Sequence, residues 1–337
     1  MSDVPASGGD VSGKPGPRVV ALGGGHGLAA SLSALRRVTR NVTAVVTVAD
    51  DGGSSGRLRR ELGVLPPGDL RMALAALCGD DDWGTTWSRV VQHRFGGDGE
   101  LAGHSTGNLL IAALWDLLGD PVAGLDWVGR LLRVRGRVLP MAAVPLDIVA
   151  VVEGVDPARP EDVSIVRGQV ACAKTPGKVR SISLEPADPP AVPEVVSAVH
   201  DADWVVFGPG SWFTSVLPHL FVPALARALH STAARRLVAL NLVAQPGETD
   251  GFSPHRHLEV LAEHAPGLAV DVVLADARAA RGCEDELEKS ARLLGARLAL
   301  ADVAAEDGAR HDPVRLAAAY RELFDGGVNR VGVRLWR

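Results

Sequence analysis

The sequence predicts an α/β fold, a doubly wound and mostly parallel sheet interrupted by a small antiparallel insertion. Three observations carry this. Short β-branched runs alternate with helical apolar spacing in both the first and the last third of the chain. The middle, about residues 136–185, loses helical periodicity and reads as alternating β-rich runs. Glycine clusters fall where strands should end. Strands that alternate with helices imply a parallel sheet with helices on both faces.

The elements follow in order. Residues 1–17 are rich in Gly, Ser and Pro and hold no apolar stretch, so a disordered tail is expected and not a signal peptide. Residues 18–337 are expected to form a single Rossmann-like domain. Arg18–Leu22 reads as a buried strand, Gly23–Gly27 as a turn, Leu28–Arg37 as a helix and Val42–Ala49 as a strand. That is a βαβ unit with a right-handed crossover. Pro66–Leu118 is mostly helical, broken by Gly/Asp-rich loops. In the insertion Leu146–Val152, Val163–Cys172 and Val179–Leu184 read as strands, and Arg133, Arg135 and Arg137 would share one strand face. Trp204–Phe207, Leu237–Val243, Val270–Ala275 and Arg297–Ala301 restore the α/β rhythm, and a last helix covers Val314–Phe324.

Composition removes several functions. The chain has 31 Arg against 4 Lys, and only 4 Ile, 4 Asn and 1 Tyr. This is the residue bias of a GC-rich genome, so the arginines are no nucleic-acid signal. A net charge of −5 with both signs dispersed excludes a general binder of nucleic acid or anionic membrane. No apolar run approaches the roughly 18 residues of a membrane span. Cys78, Cys172 and Cys283 are scattered, which suggests neither a disulfide framework nor a zinc site. A cytoplasmic location fits. The 38 glycines are in excess over the usual ~7%.

Six loops concentrate that excess or its polar counterparts. Gly23-Gly24-Gly25-His26-Gly27 lies between a strand and a helix, where backbone N–H groups and the helix N-terminus favour an anion. Leu28 stands at the third glycine of the dinucleotide fingerprint, and a tight packing turn is the other reading. Asp50-Asp51-Gly52-Gly53-Ser54-Ser55-Gly56-Arg57 follows the second strand. Its carboxylates suit ribose hydroxyls or Mg²⁺, its Gly/Ser segment suits phosphate, and Arg57 suits a clamp. A solvated loop with an Asp cap is the alternative. In Pro66-Pro67-Gly68-Asp69-Leu70-Arg71, Asp69 reads as an N-cap, and Arg71 in a first helical turn asks for a bound anion unless it points outward.

Gly103-His104-Ser105-Thr106-Gly107-Asn108 matches G-x-S-x-G, but no strand precedes it, so a helix start with hydrogen-bonding groups fits better than a nucleophile elbow. Gly208-Pro209-Gly210-Ser211 continues to Thr214 and Ser215 and repeats the logic of the first loop; it lacks Gly-Lys-Ser/Thr and is no P-loop. Asn241, Gln245, Glu248 and Thr249 close a further strand with donors and acceptors suited to an amide-bearing ligand, or with an ordinary turn. Lys174 and Lys178 share a turn, either over a phosphate or in a plain hairpin. His255 and His257 lack metal-ligand spacing and read as structural. The converging chemistry is a nucleotide carrying a sugar.

The runs VVALGGGHGL, TAVVTVADDGGSSGRLRRELGVLPPGDLR, LAGHSTGNLLIAAL, GKV, DWVVFGPGSWFTSVLPHLFVP and NLVAQPGETDGF resemble the YvcK family, the gluconeogenesis factors, in order and over most of residues 18–255. The composition resembles that of an actinobacterial member. The resemblance implies a 2-phospho-L-lactate transferase-like fold and a cytoplasmic regulator that binds UDP-sugars, notably UDP-N-acetylglucosamine. It further implies a role in growth on gluconeogenic carbon, cell shape and peptidoglycan synthesis. Protein partners in cell-wall synthesis and a homodimer stay open, with no nucleic acid and no membrane insertion. His26 departs from the family, where many members have Thr, and residues after about Phe252 match less distinctly.

The wider superfamily includes 2-phospho-L-lactate transferase, which binds a metal and a nucleotide-linked substrate at similar loops. The leading expectation is therefore a nucleotide-sugar sensor that needs no cofactor. The alternative is a metal-dependent transferase with Mg²⁺ at Asp50/Asp51. Leu28 disfavours an NAD-dependent oxidoreductase, and a serine hydrolase would need a reactive Ser105.

Overall fold

The computed structural model describes residues 16–245 and 247–326 and the backbone of 334–335. Most of the expected tail, residues 1–15, lies outside the described residues. The chain opens with β1 (Val19–Gly23), α1 (Gly25–Leu35) and β2 (Val42–Val46). Then come α2 (Gly53–Leu62), α3 (Gly68–Ala76), α4 (Asp82–Gln92), α5 (Thr106–Leu118), α6 (Pro121–Leu132) and β3 (Arg137–Pro140). The insertion holds β4 (Asp147–Glu153), β5 (Val163–Arg167), α7 (Gln169–Ala173) and β6 (Lys178–Glu185). Next are α8 (Pro193–Asp201), β7 (Trp204–Phe207), a π-helical turn (Trp212–Val216) and a 3-10 turn (Leu217–Phe221). The chain continues through α9 (Pro223–Ser231), β8 (Arg235–Ala239), α10 (Pro254–His264) and β9 (Val272–Asp276). It ends with α11 (Glu284–Leu293), β10 (Arg297–Ala301), α12 (Pro313–Phe324) and β11 (Arg334–Leu335).

The expected doubly wound sheet is present. Its order is β11-β10-β9-β8-β7-β1-β2-β3, parallel except for the antiparallel edge strand β11. β1, β7 and β9 are buried at every position, as a parallel sheet covered on both faces requires. The small sheet β5-β4-β6 is antiparallel, and β4 alternates between buried and half-buried residues. Among the described residues no helix is long and apolar enough to cross a membrane.

Several elements differ from the sequence reading, among them the strand expected over Leu237–Val243, which spans Arg235–Ala239. Arg137–Pro140 pairs in parallel with β2, so the antiparallel sheet begins at Asp147 and not near residue 136. The three arginines do not share a strand face: Arg133 ends α6 in the left-handed region (φ 53), and only Arg137 is in the strand. Val163–Cys172 is not one strand; Gly168, at φ 92, turns the chain into α7. β2 stops at Val46, although Val48 and Ala49 stay fully buried, because the backbone leaves the ladder after Thr47 N–H donates to Gly23 O at 3.0 Å.

Candidate functional site at the sheet switch point

From β1 the chain adds β2 and then β3 on one side, and later adds β7 to β10 on the other. The winding reverses between β1 and β7, and in open α/β sheets ligands bind in the crevice at such a point. The loops after these two strands are the two glycine clusters, Gly23–Gly27 and Gly208–Gly210. They touch. A Cβ on Gly27 would stand 2.5 Å from Gly210 Cα and 2.7 Å from Gly210 N, so only glycine permits the approach. Gly24 is walled in as closely: a Cβ there would lie 2.5 Å from both Asp69 Oδ2 and Thr47 Oγ1 and 3.2 Å from Ser215 Oγ.

The helices that start at this crevice have bare ends. α1 begins after Gly24, α2 after Gly52 and α5 after Ser105, none with a side-chain cap or a first-turn acid. Every other described α-helix of eight or more residues has an Asp cap, a proline in its first turn or a first-turn acid. The Gly25 N–H of α1 is directed at the Asp69 carboxyl; the remaining first-turn N–H groups and the positive ends of α1 and α2 suit an anion. Gly25 and His26 open α1; Gly25 is half-buried and His26 is exposed.

Asp69 is not an N-cap, because Pro67 caps α3 and Asp69 lies inside its first turn. Thr47 Oγ1 donates to Asp69 Oδ2 at 3.4 Å. Burial first, and then the charge of Asp50, push the Asp69 carboxyl up to about 7. The folded protein holds this proton until pH approaches 7, while the unfolded chain releases it near 3.8, so the stability this group lends is lost as pH rises between those values. Above that range its charge also faces the bare end of α1. Affinity for a phosphoanion is thus expected to fall as pH rises through about 7, and Asp69→Asn to flatten the profile. Calorimetric titrations at pH 6 to 8 check this; an unchanged profile in Asp69→Asn would remove Asp69 from the site.

The acidic turn splits its work. Asp50 Oδ1 accepts from Gly52 N–H at 3.0 Å, and its other oxygen lies beside Gly68 together with Ser55 Oγ. Asp51 turns away and accepts from Val170 N–H of α7 at 3.0 Å. The Asp50 and Asp51 carboxylates thus have different partners, and the carboxyl whose proton Asp50 favours is that of Asp69. Among the described residues no cluster of three His, Cys, Asp or Glu is arranged for a metal. α7 also abuts the loop after β8, where Gly247 packs on the Ala173 carbonyl. The insertion thus bridges the β2 side of the crevice to its β8 side.

Several expected ligand groups bond to one another. Ser54 Oγ accepts from Asn108 Nδ2 at 3.0 Å and is 3.0 Å from His104 Nδ1. Arg71 Nε donates to Asn108 Oδ1 at 2.9 Å, and its Nη1 donates to Gln92 Oε1 at 2.9 Å. These four site candidates are all buried. Burial, and then the charge of Arg94, lower Arg71 to about 10, and burial, then Arg57, lowers His104. Arg71 thus has Asn108 and Gln92 as its partners inside the protein. Arg57 holds a loop, donating to the carbonyls of Ala102 at 2.6 Å and Glu100 at 3.3 Å. Ser105 is fully buried, which rules out an exposed nucleophile.

On the β7 side, Asn241 accepts from Gly210 N–H and donates to Gly210 O, both at 2.9 Å, so it splints the Gly208-Pro209-Gly210 loop. Glu248 is buried, and burial raises its carboxyl; it accepts from Thr214 Oγ1 at 2.5 Å and from Phe213 N–H at 3.1 Å, capping the turn after Ser211. Thr249 Oγ1 accepts from Gln245 N–H at 2.8 Å, and Gln245 Oε1 is buried without a partner. Lys178 is exposed and opens on a separate cavity of about 440 Å³ with Phe252 and Arg256. Gly53 is exposed at φ 47. The crevice proper therefore gathers Gly24–Gly27, Asp50, Ser55, Asp69, Gly208–Gly210 and Ser215. Sequence reasoning missed Thr47 and Val170; a threonine between Val46 and Val48 was the one legible sign.

Comparison with known proteins agrees with this fold. The family model for 2-phospho-L-lactate transferase CofD matches residues 19–309. The gluconeogenesis factor of Halalkalibacterium halodurans is 40% identical over 256 residues, 76% of each chain. A Mycobacterium tuberculosis protein provisionally named a gluconeogenesis factor is 59% identical over 302 residues, 89% of this chain and 88% of its own. A crystal structure of a UPF0052 family member from Bacillus halodurans superposes with a TM-score of 0.80 at 34% identity, covering 91% of this chain and 99% of that one.

Proposed function

The chain belongs to the CofD family, alongside the members named gluconeogenesis factors, and on that premise we propose that it is a regulator that binds a nucleotide sugar without turning it over. The observation that supports this most is the contact of two glycine loops at the sheet switch point, where the bare starts of α1 and α2 face the crevice. That is the chemistry of a diphosphate seat: backbone N–H donors and helix ends, with little formal charge. The ligand class is UDP-N-acetylglucosamine or a related UDP-sugar, and occupancy links carbon metabolism to cell-wall synthesis. The test is thermal stabilisation. A ligand at 100 times its Kd adds about 2.7 kcal/mol, so UDP-N-acetylglucosamine is expected to raise the melting temperature where glucose and inorganic phosphate do not.

One observation favours a second reading. Asp50 and Asp69 lie close enough for Asp50 to raise the Asp69 carboxyl, and such a pair would hold a divalent cation in a transferase, screening phosphoryl charge. The two readings differ in sign. A cation needs Asp69 ionised, so its binding would strengthen as pH rises through about 7, whereas phosphoanion binding weakens. Incubation with UDP-N-acetylglucosamine and Mg²⁺ decides turnover: product in excess of protein would defeat the regulator reading.

A further inference from the structure

Beside the crevice lies a groove of about 480 Å³ between α1, α3 and α4, within the range of small-molecule pockets. We propose that this groove receives the glycosyl part of the ligand, the diphosphate being held at the start of α1; this rests on the nucleotide-sugar reading above.

The groove begins at the crevice. His26, Ala29, Ala30 and Ser33 line it from α1, and their i, i+3, i+4, i+7 spacing makes them one stripe of that helix. His26 heads the stripe and lies in the first turn, where the bare N–H groups are. A group attached to a phosphate seated there is continued along the stripe. From His26 to Ser33 the helix rises roughly 10 Å at 1.5 Å per residue, room for one pyranose ring.

The walls suit hydroxyl groups. Thr85, Ser88, Arg89 and Gln92 line the groove from one face of α4. Gln92 is fixed at its inner end, since its Oε1 accepts from Arg71 at 2.9 Å. The alanines opposite are small and leave the space open. Apart from the His26 imidazole no aromatic ring lines the groove, which disfavours a nucleobase. Arg36 and Asp80 close the far end of the groove. The Arg36 side chain is only 8% exposed, and both Nη atoms are taken by Asp80 at 2.5 and 3.0 Å. Its Nε is nevertheless buried without a partner.

The test titrates UDP and UDP-N-acetylglucosamine into the wild-type protein, Ala30→Leu and Thr85→Val. The wild type is expected to bind the UDP-sugar about ten-fold more tightly than UDP. Ala30→Leu fills the groove and is expected to erase that gain while leaving UDP unchanged. Thr85→Val, which removes one hydroxyl from the other wall, is expected to lower it several-fold, and it carries the test alone if the larger side chain unfolds the protein. Equal losses for both ligands, or no loss for either, would overturn the groove assignment. UDP binding with no gain from the sugar would refute the groove and spare the nucleotide site. Failure of UDP itself to bind the wild type would overturn both.

Discussion

Gly27→Ala is expected to separate the two glycine loops and to cost both stability and ligand affinity. Position 27 is helical, and alanine there would ordinarily gain up to about 1 kcal/mol of helix propensity. The added Cβ would meet the backbone of Gly210 at 2.5 Å, and no rotamer change relieves a contact with backbone. Overpacking of this kind costs about 1–3 kcal/mol, so the clash wins. The loop after β7 cannot simply retreat, because Asn241 holds Gly210 by both amide atoms. Denaturant unfolding is expected to show a net loss of up to about 2 kcal/mol, and calorimetry at least a ten-fold loss of UDP-sugar affinity, the equivalent of about 1.4 kcal/mol. A variant as stable as the wild type that binds equally well would show that the contact does not shape the site.

Asn108→Leu is expected to give the largest loss of stability. Asn108 accepts from the buried Arg71 and donates to Ser54, so the substitution strands the Arg71 Nε–H and leaves the Ser54 hydroxyl with His104 alone. Removing the partner of a buried charged group costs about 3 kcal/mol. Leucine improves helix propensity by only a few tenths of a kcal/mol. Asn108→Asp keeps an acceptor for Arg71 and is expected to lose less. The double variant Arg71→Met/Asn108→Leu removes both partners and is expected to be more stable than Asn108→Leu alone. A loss below about 0.5 kcal/mol in Asn108→Leu, the size of an ordinary surface substitution, would mean that the network carries no load.

The sequence made the sheet legible because its strands are short, apolar and β-branched; β10 and β7 were placed to the residue. β3 was not, because its assignment depends on pairing with β2, which lies nearly a hundred residues earlier. The site was legible to the level of its loops. Glycine at strand ends marks close approach, and Gly24, against side chains, and Gly27, against backbone, both fulfil it. Which polar side chain faces the ligand was not legible. Ser54, Asn108, Arg71 and His104 look like ligand groups locally, yet they satisfy one another across 37 to 54 residues. Asp51 is withdrawn from the crevice by a backbone N–H 119 residues away. Long-range satisfaction of polar groups has no local signature.

The central claim is that the crevice between the β1 and β7 loops seats the diphosphate of a nucleotide sugar. It is tested most directly by calorimetric titration of the wild type and Gly27→Ala with uridine, UDP and UDP-N-acetylglucosamine at pH 6.5. Saturable wild-type binding of the two diphosphates, at least ten-fold weaker in Gly27→Ala and absent for uridine, is the predicted result. Equal binding of uridine and UDP, or wild-type heats no larger than dilution for all three, would contradict it.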